Sequence, residues 1–157
     1  GCGETPYIKL VTQLYGDHMT IANATGCSSI YGGSAPSTPY RANEYGRGPA
    51  WANSLFEDNA EFGFGIALGY ERIRYRLRDR FERILNGDYS DQLKEAAKLW
   101  LESQETYEAS REAADMIIPI LEKDGSDIAK EILSYKDFLV KKSVWIIGGD
   151  GWANDIG

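Results

Sequence analysis

The run Ser143-Val144-Trp145-Ile146-Ile147 breaks directly into Gly148-Gly149-Asp150-Gly151, and few architectures can use such a juncture. An apolar, β-branched burst of this length reads as a buried parallel strand. Glycines at its carboxyl end let the backbone approach a ligand, and open α/β sheets bind ligands at that edge. A single carboxylate in the turn can hold a hard cation such as Mg²⁺ through oxygen. A plain β-turn is the competing reading, because Gly and Asp dominate turns. A Walker-type phosphate loop is excluded, since no Gly-Lys-Ser/Thr follows. A strand presenting Gly-Asp-Gly calls for a helix after it, and none is expected in the residues that remain before Gly157.

The order of elements upstream supports an α/β domain. Thr5-Pro6 suits a helix start, Ile8, Leu10, Val11 and Leu14 supply an apolar face, and Gly16 ends it. Met19 to Asn23 reads as a short strand. From Thr25 to Phe64 the pattern dissolves into Gly, Ser, Pro and Asn with interspersed aromatics. A connection of that length is functional or disordered, and Trp51, Tyr31, Tyr40, Tyr45 and Phe56 argue for order. Tyr70, Ile73, Leu77, Phe81 and Ile84 then repeat at helical spacing up to Asn86-Gly87. Ser90-Asp91 caps a second helix of this group. A third runs from near Glu105 to Lys123 with Pro119 expected to kink it, and Gly125-Ser126-Asp127 opens a fourth. The expectation is a parallel sheet flanked by helices, with a long ordered loop and a helical insertion.

Composition narrows the function classes. The 157 residues carry a net charge of −7, which argues against a nucleic-acid binder needing clustered Lys and Arg. The arginines at 72, 74, 76, 78, 80 and 83 interleave with Glu71, Asp79 and Glu82, so a solvated or interdomain face is expected of them. No apolar run reaches the roughly 20 residues of a membrane helix, and no basic segment precedes an apolar stretch as in a signal peptide. A cytoplasmic setting with reduced thiols is therefore expected of Cys2 and Cys27, with one disulfide as the alternative. Thiolates favour iron–sulfur sites, which need four ligands, and only two cysteines are present. His18, the only histidine, is expected to be a surface turn residue.

Three blocks are distinctive together: Gly1-Cys2-Gly3-Glu4-Thr5-Pro6-Tyr7, Ala22-Asn23-Ala24-Thr25-Gly26-Cys27-Ser28-Ser29-Ile30-Tyr31-Gly32-Gly33, and Pro49 to Gly63. With Gly149-Asp150-Gly151-Trp152-Ala153 they resemble the pyruvate:ferredoxin (flavodoxin) oxidoreductase family, over the whole chain and least from about Asp88 to Lys142. The resemblance implies part of a thiamine-diphosphate-binding domain that also carries ligands of a [4Fe–4S] cluster. Cys2 matches the second member of a Cys-x-x-Cys pair and Cys27 a third cluster ligand. Glu4 and Cys27 match residues that also touch thiamine diphosphate. Asp150 matches the Mg²⁺ ligand, and Gly149, Gly151 and Trp152 the diphosphate-binding turn.

The implied reaction is oxidation of pyruvate with coenzyme A to acetyl-CoA and CO₂, electrons passing through [4Fe–4S] clusters to ferredoxin or flavodoxin. The family implies a homodimer. Because Cys2 and Asp150 match motifs whose remaining members are missing, the chain reads as an excerpt of a longer enzyme, inactive alone and with the Val144–Ile147 strand uncovered. A noncatalytic domain and a thiamine enzyme without iron stand as alternatives, which the cysteines and Asp150 count against.

Overall fold

The computed structural model describes residues 3–34 and 38–155. Helix α1 (Thr5–Tyr15), with Pro6 in its first turn, is followed by strand β1 (Met19–Ala24) and helix α2 (Cys27–Gly33). Strand β2 (Ala50–Ser54) and helix α3 (Asn59–Asn86) come next, then α4 (Asp91–Ser103), α5 (Tyr107–Asp124) and α6 (Asp127–Ser134). Strand β3 (Ser143–Ile147) and helix α7 (Asp150–Asp155) close the order. The chain divides into two compact units, Gly1–Leu68 with Ser143–Gly157, and Gly69–Lys142. The second unit is the expected helical insertion, placed in the chain between β2 and β3.

The first unit is built on an open parallel sheet in the order β2-β1-β3. All six residues of β1 are buried, as a central strand covered on both faces requires. Edge strand β3 is half-buried, with Ile146 41% exposed. One residue locks the three strands together where they end. Asn59, fully buried at the start of α3, donates from Nδ2 to the carbonyls of Ala22 and Ile147, each at 3.2 Å. Its Oδ1 accepts from the Ser54 hydroxyl at 2.8 Å. One turn later Gly63 lets α3 lie close to the sheet: a Cβ there would stand 2.4 Å from Ile146 Cγ1 and 3.2 Å from Ala22 Cβ.

Several elements differ from the sequence expectation. The stretch from Thr25 to Phe64 contains α2 and β2, and α3 begins at Asn59 rather than near Tyr70. The Ser- and Gly-rich α2 has little intrinsic helix propensity, and β2 is defined by its pairing with β1. A short helix, α7, does follow Gly148-Gly149. In α1, Ile8 is buried, whereas Leu10 and Leu14 are exposed. His18 is a buried residue, not a surface one, and its Nδ1 lies 2.8 Å from Asp17 Oδ1.

The second unit has its own core. Phe81 of α3 stacks on Trp100 of α4 at 4.7 Å between ring centroids, and Leu77, Ile84, Leu93, Ile117 and Leu121 are buried with them. The indole N–H of Trp100 donates to the Leu139 carbonyl at 2.9 Å. Ser90, Thr106 and Ser126 cap α4, α5 and α6 with their hydroxyls, each capping contact contributing about 1 kcal/mol. Gly125 ends α5 at φ 65°, donating its N–H to Leu121, a left-handed conformation that glycine adopts without strain. The arginines are not merely solvated. Arg74 lies over Trp100 and donates to the carbonyls of Phe138 and Gln104 at 2.8 and 2.6 Å, while Arg76 and Arg80 share Glu131.

Truncating Phe81 opens a cavity against Trp100. Phe81→Ala is expected to lower the stability of the helical unit by about 3–5 kcal/mol. Hydrogen-exchange protection of the α4 and α6 amides in the intact polypeptide measures it.

Candidate functional site at the carboxyl edge of the sheet

The last aligned pair of β1 and β3 is Asn23 with Ile147, and of β1 and β2 Ala24 with Ser54. Because the strands are parallel, the segments Thr25-Gly26-Cys27 and Gly148-Gly149-Asp150 leave neighbouring strands at the same edge. Of the residues singled out in the sequence, this edge gathers Cys27, Gly149, Asp150, Gly151 and Trp152. Cys2 lies outside the described residues.

The Cys27 side of the edge is tied down by side chains of two strands. The Thr25 hydroxyl donates to the Ser54 carbonyl at 2.6 Å and accepts from Asn53 Nδ2 at 3.0 Å. The fully buried Asn23 directs Nδ2 at the carbonyl of Ala24 (2.7 Å), at Ser28 Oγ (3.3 Å) and at Asn53 Oδ1 (3.4 Å). The Gly26 N–H donates to Ser29 Oγ at 2.8 Å. Cys27 itself is a free, exposed thiol in the first turn of α2.

The β3 side is open by contrast. Among the described residues nothing would meet a Cβ within 4 Å at Gly149 or Gly151, which leaves this backbone approachable. Gly148 is the covered one: a Cβ there would meet the Trp152 ring at 2.4 Å. Asp150 is exposed in the first turn of α7, and its carbonyl accepts from Asn154 Nδ2 at 2.8 Å.

Glu4 precedes α1, where its carbonyl accepts from Tyr7 and Ile8. Among the described residues its Oε1 has no hydrogen-bond partner and is sealed from solvent, as are Tyr40 Oη and Trp51 Nε1. Tyr40 and Trp51 meet over Gly32, where a Cβ would lie 3.3 Å from both Tyr40 Cε2 and Trp51 Nε1. Burial, followed by the charge of Glu4, pushes the Tyr40 phenol up to about 12.

Chemically, this edge offers a soft donor at Cys27, a hard donor at Asp150 and approachable backbone between Gly149 and Gly151. The open glycines and the exposed carboxylate fit a diphosphate with its divalent cation, and the free thiol fits one of the four ligands of a cluster. Among the described residues no group of three or more His, Cys, Asp and Glu could hold a metal ion. Sequence reading passed over Asn23, Thr25, Asn53 and Asn59. The one signal for them was an asparagine inside an otherwise apolar strand, next to the Cys27 block.

Known proteins with this sequence pattern share one activity in their names. The pyruvate-flavodoxin oxidoreductase of Klebsiella pneumoniae is 54% identical over 159 residues, covering 100% of this chain and 14% of that protein. The pyruvate:ferredoxin oxidoreductase of Moorella thermoacetica is 53% identical over 164 residues, with the same coverage. The chain is a homologue of one segment of the pyruvate:ferredoxin (flavodoxin) oxidoreductases. A mitochondrial pyruvate dehydrogenase (NADP⁺) of Euglena gracilis is 51% identical over 160 residues, and the chain covers 9% of its length. No family model matches the chain. Among the described residues, no helix is long and apolar enough to cross a membrane.

Tyr40 gives the segment a pH signature. Its phenol is held neutral when folded up to about 12, against 10.0 as the ordinary value. A raised folded value means that its contribution to stability is complete below about pH 10 and is lost as pH rises from about 10 to 12. Tyr40→Phe is expected to remove that portion of the alkaline stability loss, and denaturation across this window, with tyrosinate absorbance alongside, checks it.

Proposed function

We propose that this chain is the part of a pyruvate:ferredoxin (flavodoxin) oxidoreductase that binds thiamine diphosphate through Mg²⁺ and supplies ligands to the adjacent [4Fe–4S] cluster. The whole chain, 1–157, then forms part of one cofactor-binding domain of a longer polypeptide. The observation that carries this reading is the placement of Cys27 and Gly149-Asp150-Gly151 at the ends of adjacent parallel strands. Similarity over the full chain to proteins named for pyruvate oxidation supports it.

In this reading Asp150 ligates Mg²⁺ through its exposed carboxylate, and the backbone at Gly149 and Gly151 meets the diphosphate. Trp152, folded back on Gly148, holds that turn in shape. Cys2 and Cys27 ligate the cluster, and Glu4 and Cys27 touch the thiamine. Thiamine diphosphate supplies the carbon nucleophile for decarboxylation of the 2-oxoacid, and the cluster takes up the electrons released. The residues of this chain bind and orient: none of them acts as acid or base. Pyruvate and coenzyme A are the substrates, acetyl-CoA and CO₂ the products, and ferredoxin or flavodoxin the acceptor. The polypeptide acts as a cytoplasmic homodimer, and another 2-oxoacid is the second reading of the substrate.

Two substitutions test the assignment in the intact polypeptide. Asp150→Ala is expected to abolish Mg²⁺-dependent binding of thiamine diphosphate, followed by calorimetric titration; an affinity equal to wild type overturns the Mg²⁺ role. Cys27→Ser is expected to lose the iron and the paramagnetic signal of one cluster, and an unchanged spectrum removes it from the ligand set.

A further inference from the structure

Cys27 opens α2, separated from the end of β1 by Thr25 and Gly26, and α2 is a seven-residue helix containing Gly32 and Gly33. Such a helix is a poor anchor by itself. What fixes the thiol lies in the strands beneath it. Thr25, two residues before Cys27, is held by the Ser54 carbonyl and Asn53 Nδ2 of β2. Ser28, the residue after Cys27, is held by Asn23 Nδ2 of β1 at 3.3 Å. The two asparagines face each other across the β1–β2 pair and are in contact at 3.4 Å.

A second observation marks this base as more than a loop anchor. Asn23 is fully buried, and among the described residues its Oδ1 has no hydrogen-bond partner. A buried acceptor left unpaired costs about 1–3 kcal/mol, and such groups in native folds call for a functional explanation. Reversing the amide would not relieve it, because Oδ1 would then face the Ala24 carbonyl that Nδ2 now meets at 2.7 Å.

We propose that Thr25 and Asn53, with Asn23 beneath them, are positioning residues that set the orientation of the Cys27 thiolate toward its cluster. This rests on the reading of Cys27 as a cluster ligand. Groups that orient a metal ligand tune both retention and electronic properties of the metal. Thr25 and Asn53 are exposed, so they can be changed without opening the core.

The test uses the intact polypeptide with clusters reconstituted anaerobically, in Thr25→Val, Thr25→Ser, Asn53→Ala and Cys27→Ser forms. The readouts are iron per polypeptide, the electron paramagnetic spectrum of the reduced protein and the midpoint potential. Cys27→Ser identifies the signal that belongs to its cluster. In Thr25→Val and Asn53→Ala that same signal is expected to change shape and its potential to shift, with iron lost more readily on desalting. Thr25→Ser, which keeps the hydroxyl, is expected to return all three to wild type. If Cys27→Ser loses the signal while Thr25→Val and Asn53→Ala leave shape and potential unchanged, the positioning role is wrong and the cluster reading stands. If Thr25→Ser fails to restore what Thr25→Val changes, the hydroxyl bonds are not the cause and the proposal fails. If Cys27→Ser retains the signal, the cluster reading itself fails and takes this proposal with it.

Discussion

The geometry of the candidate site depends on the side chain of Asn59. A parallel sheet of three strands has splayed ends, because its ladders stop where the last carbonyls find no strand partner. Here a single buried amide satisfies carbonyls of β1 and β3 and is itself satisfied by a hydroxyl from β2. Removing it would take a donor from each of those carbonyls, and a buried group left unsatisfied costs about 1–3 kcal/mol. The segments carrying Cys27 and Gly149-Asp150-Gly151 each leave a strand within a few residues of that amide. Asn59 belongs to α3, so the helix is seated by the same bonds, and Gly63 one turn on removes the side chain that would hold it away.

The helical unit solves a different problem with similar means. Its chain breaks between α4 and α5 and again after α6 leave carbonyls at Gln104, Phe138 and Leu139. The guanidinium of Arg74, with its planar array of donors, reaches all three sites, and the Trp100 indole adds a second donor to Leu139. The burial that makes these bonds strong also lowers the proton affinity of Arg74 from its ordinary value, though it stays charged in the range where proteins fold. The arginine-rich face of α3 is in this way a structural feature, consistent with a net charge that speaks against nucleic acid.

How much of this was legible beforehand divides along physical lines. Helices α4 to α6 were readable because a hydroxyl cap and a periodic apolar face agree there, as in Ser90 with Leu93, Ala97 and Trp100, and Gly125 adds a stop to α5. Strand β3 was readable because its apolar run has no helical period. Strand β2 was not, since Ala-Trp-Ala-Asn-Ser becomes a strand only by pairing with β1, and pairing is invisible locally. Helix α2 escaped because its residues have low helix propensity: Ser28 is held by Asn23 of β1, and Ser29 bonds the backbone of Gly26 at its start. The burial of His18 was hidden because Gly16 and Asp17 beside it are the composition of a surface turn. At the site, Cys27 and Asp150 stood out by chemistry, whereas Asn23, Asn53 and Asn59 did not. An asparagine is ordinary in composition and acquires meaning only from what it faces.

The two sides of the sheet edge meet opposite physical requirements. A soft ligand that shares a metal cluster must be held in one orientation, since bond geometry governs both affinity and potential. The Cys27 segment answers with hydrogen bonds from β1 and β2, and it springs from β1, the most deeply buried strand. A diphosphate needs approachable backbone instead, and any side chain on the turn would stand in the way. The turn after β3, the half-exposed edge strand, answers with Gly149 and Gly151, which are open among the described residues, while Gly148 is covered by Trp152. If the two were exchanged, the thiol would sit on the less supported strand and the diphosphate turn would be crowded by the asparagine network. On the proposed reading, the strand order β2-β1-β3 gives the thiol the buried strand and the diphosphate turn the open one.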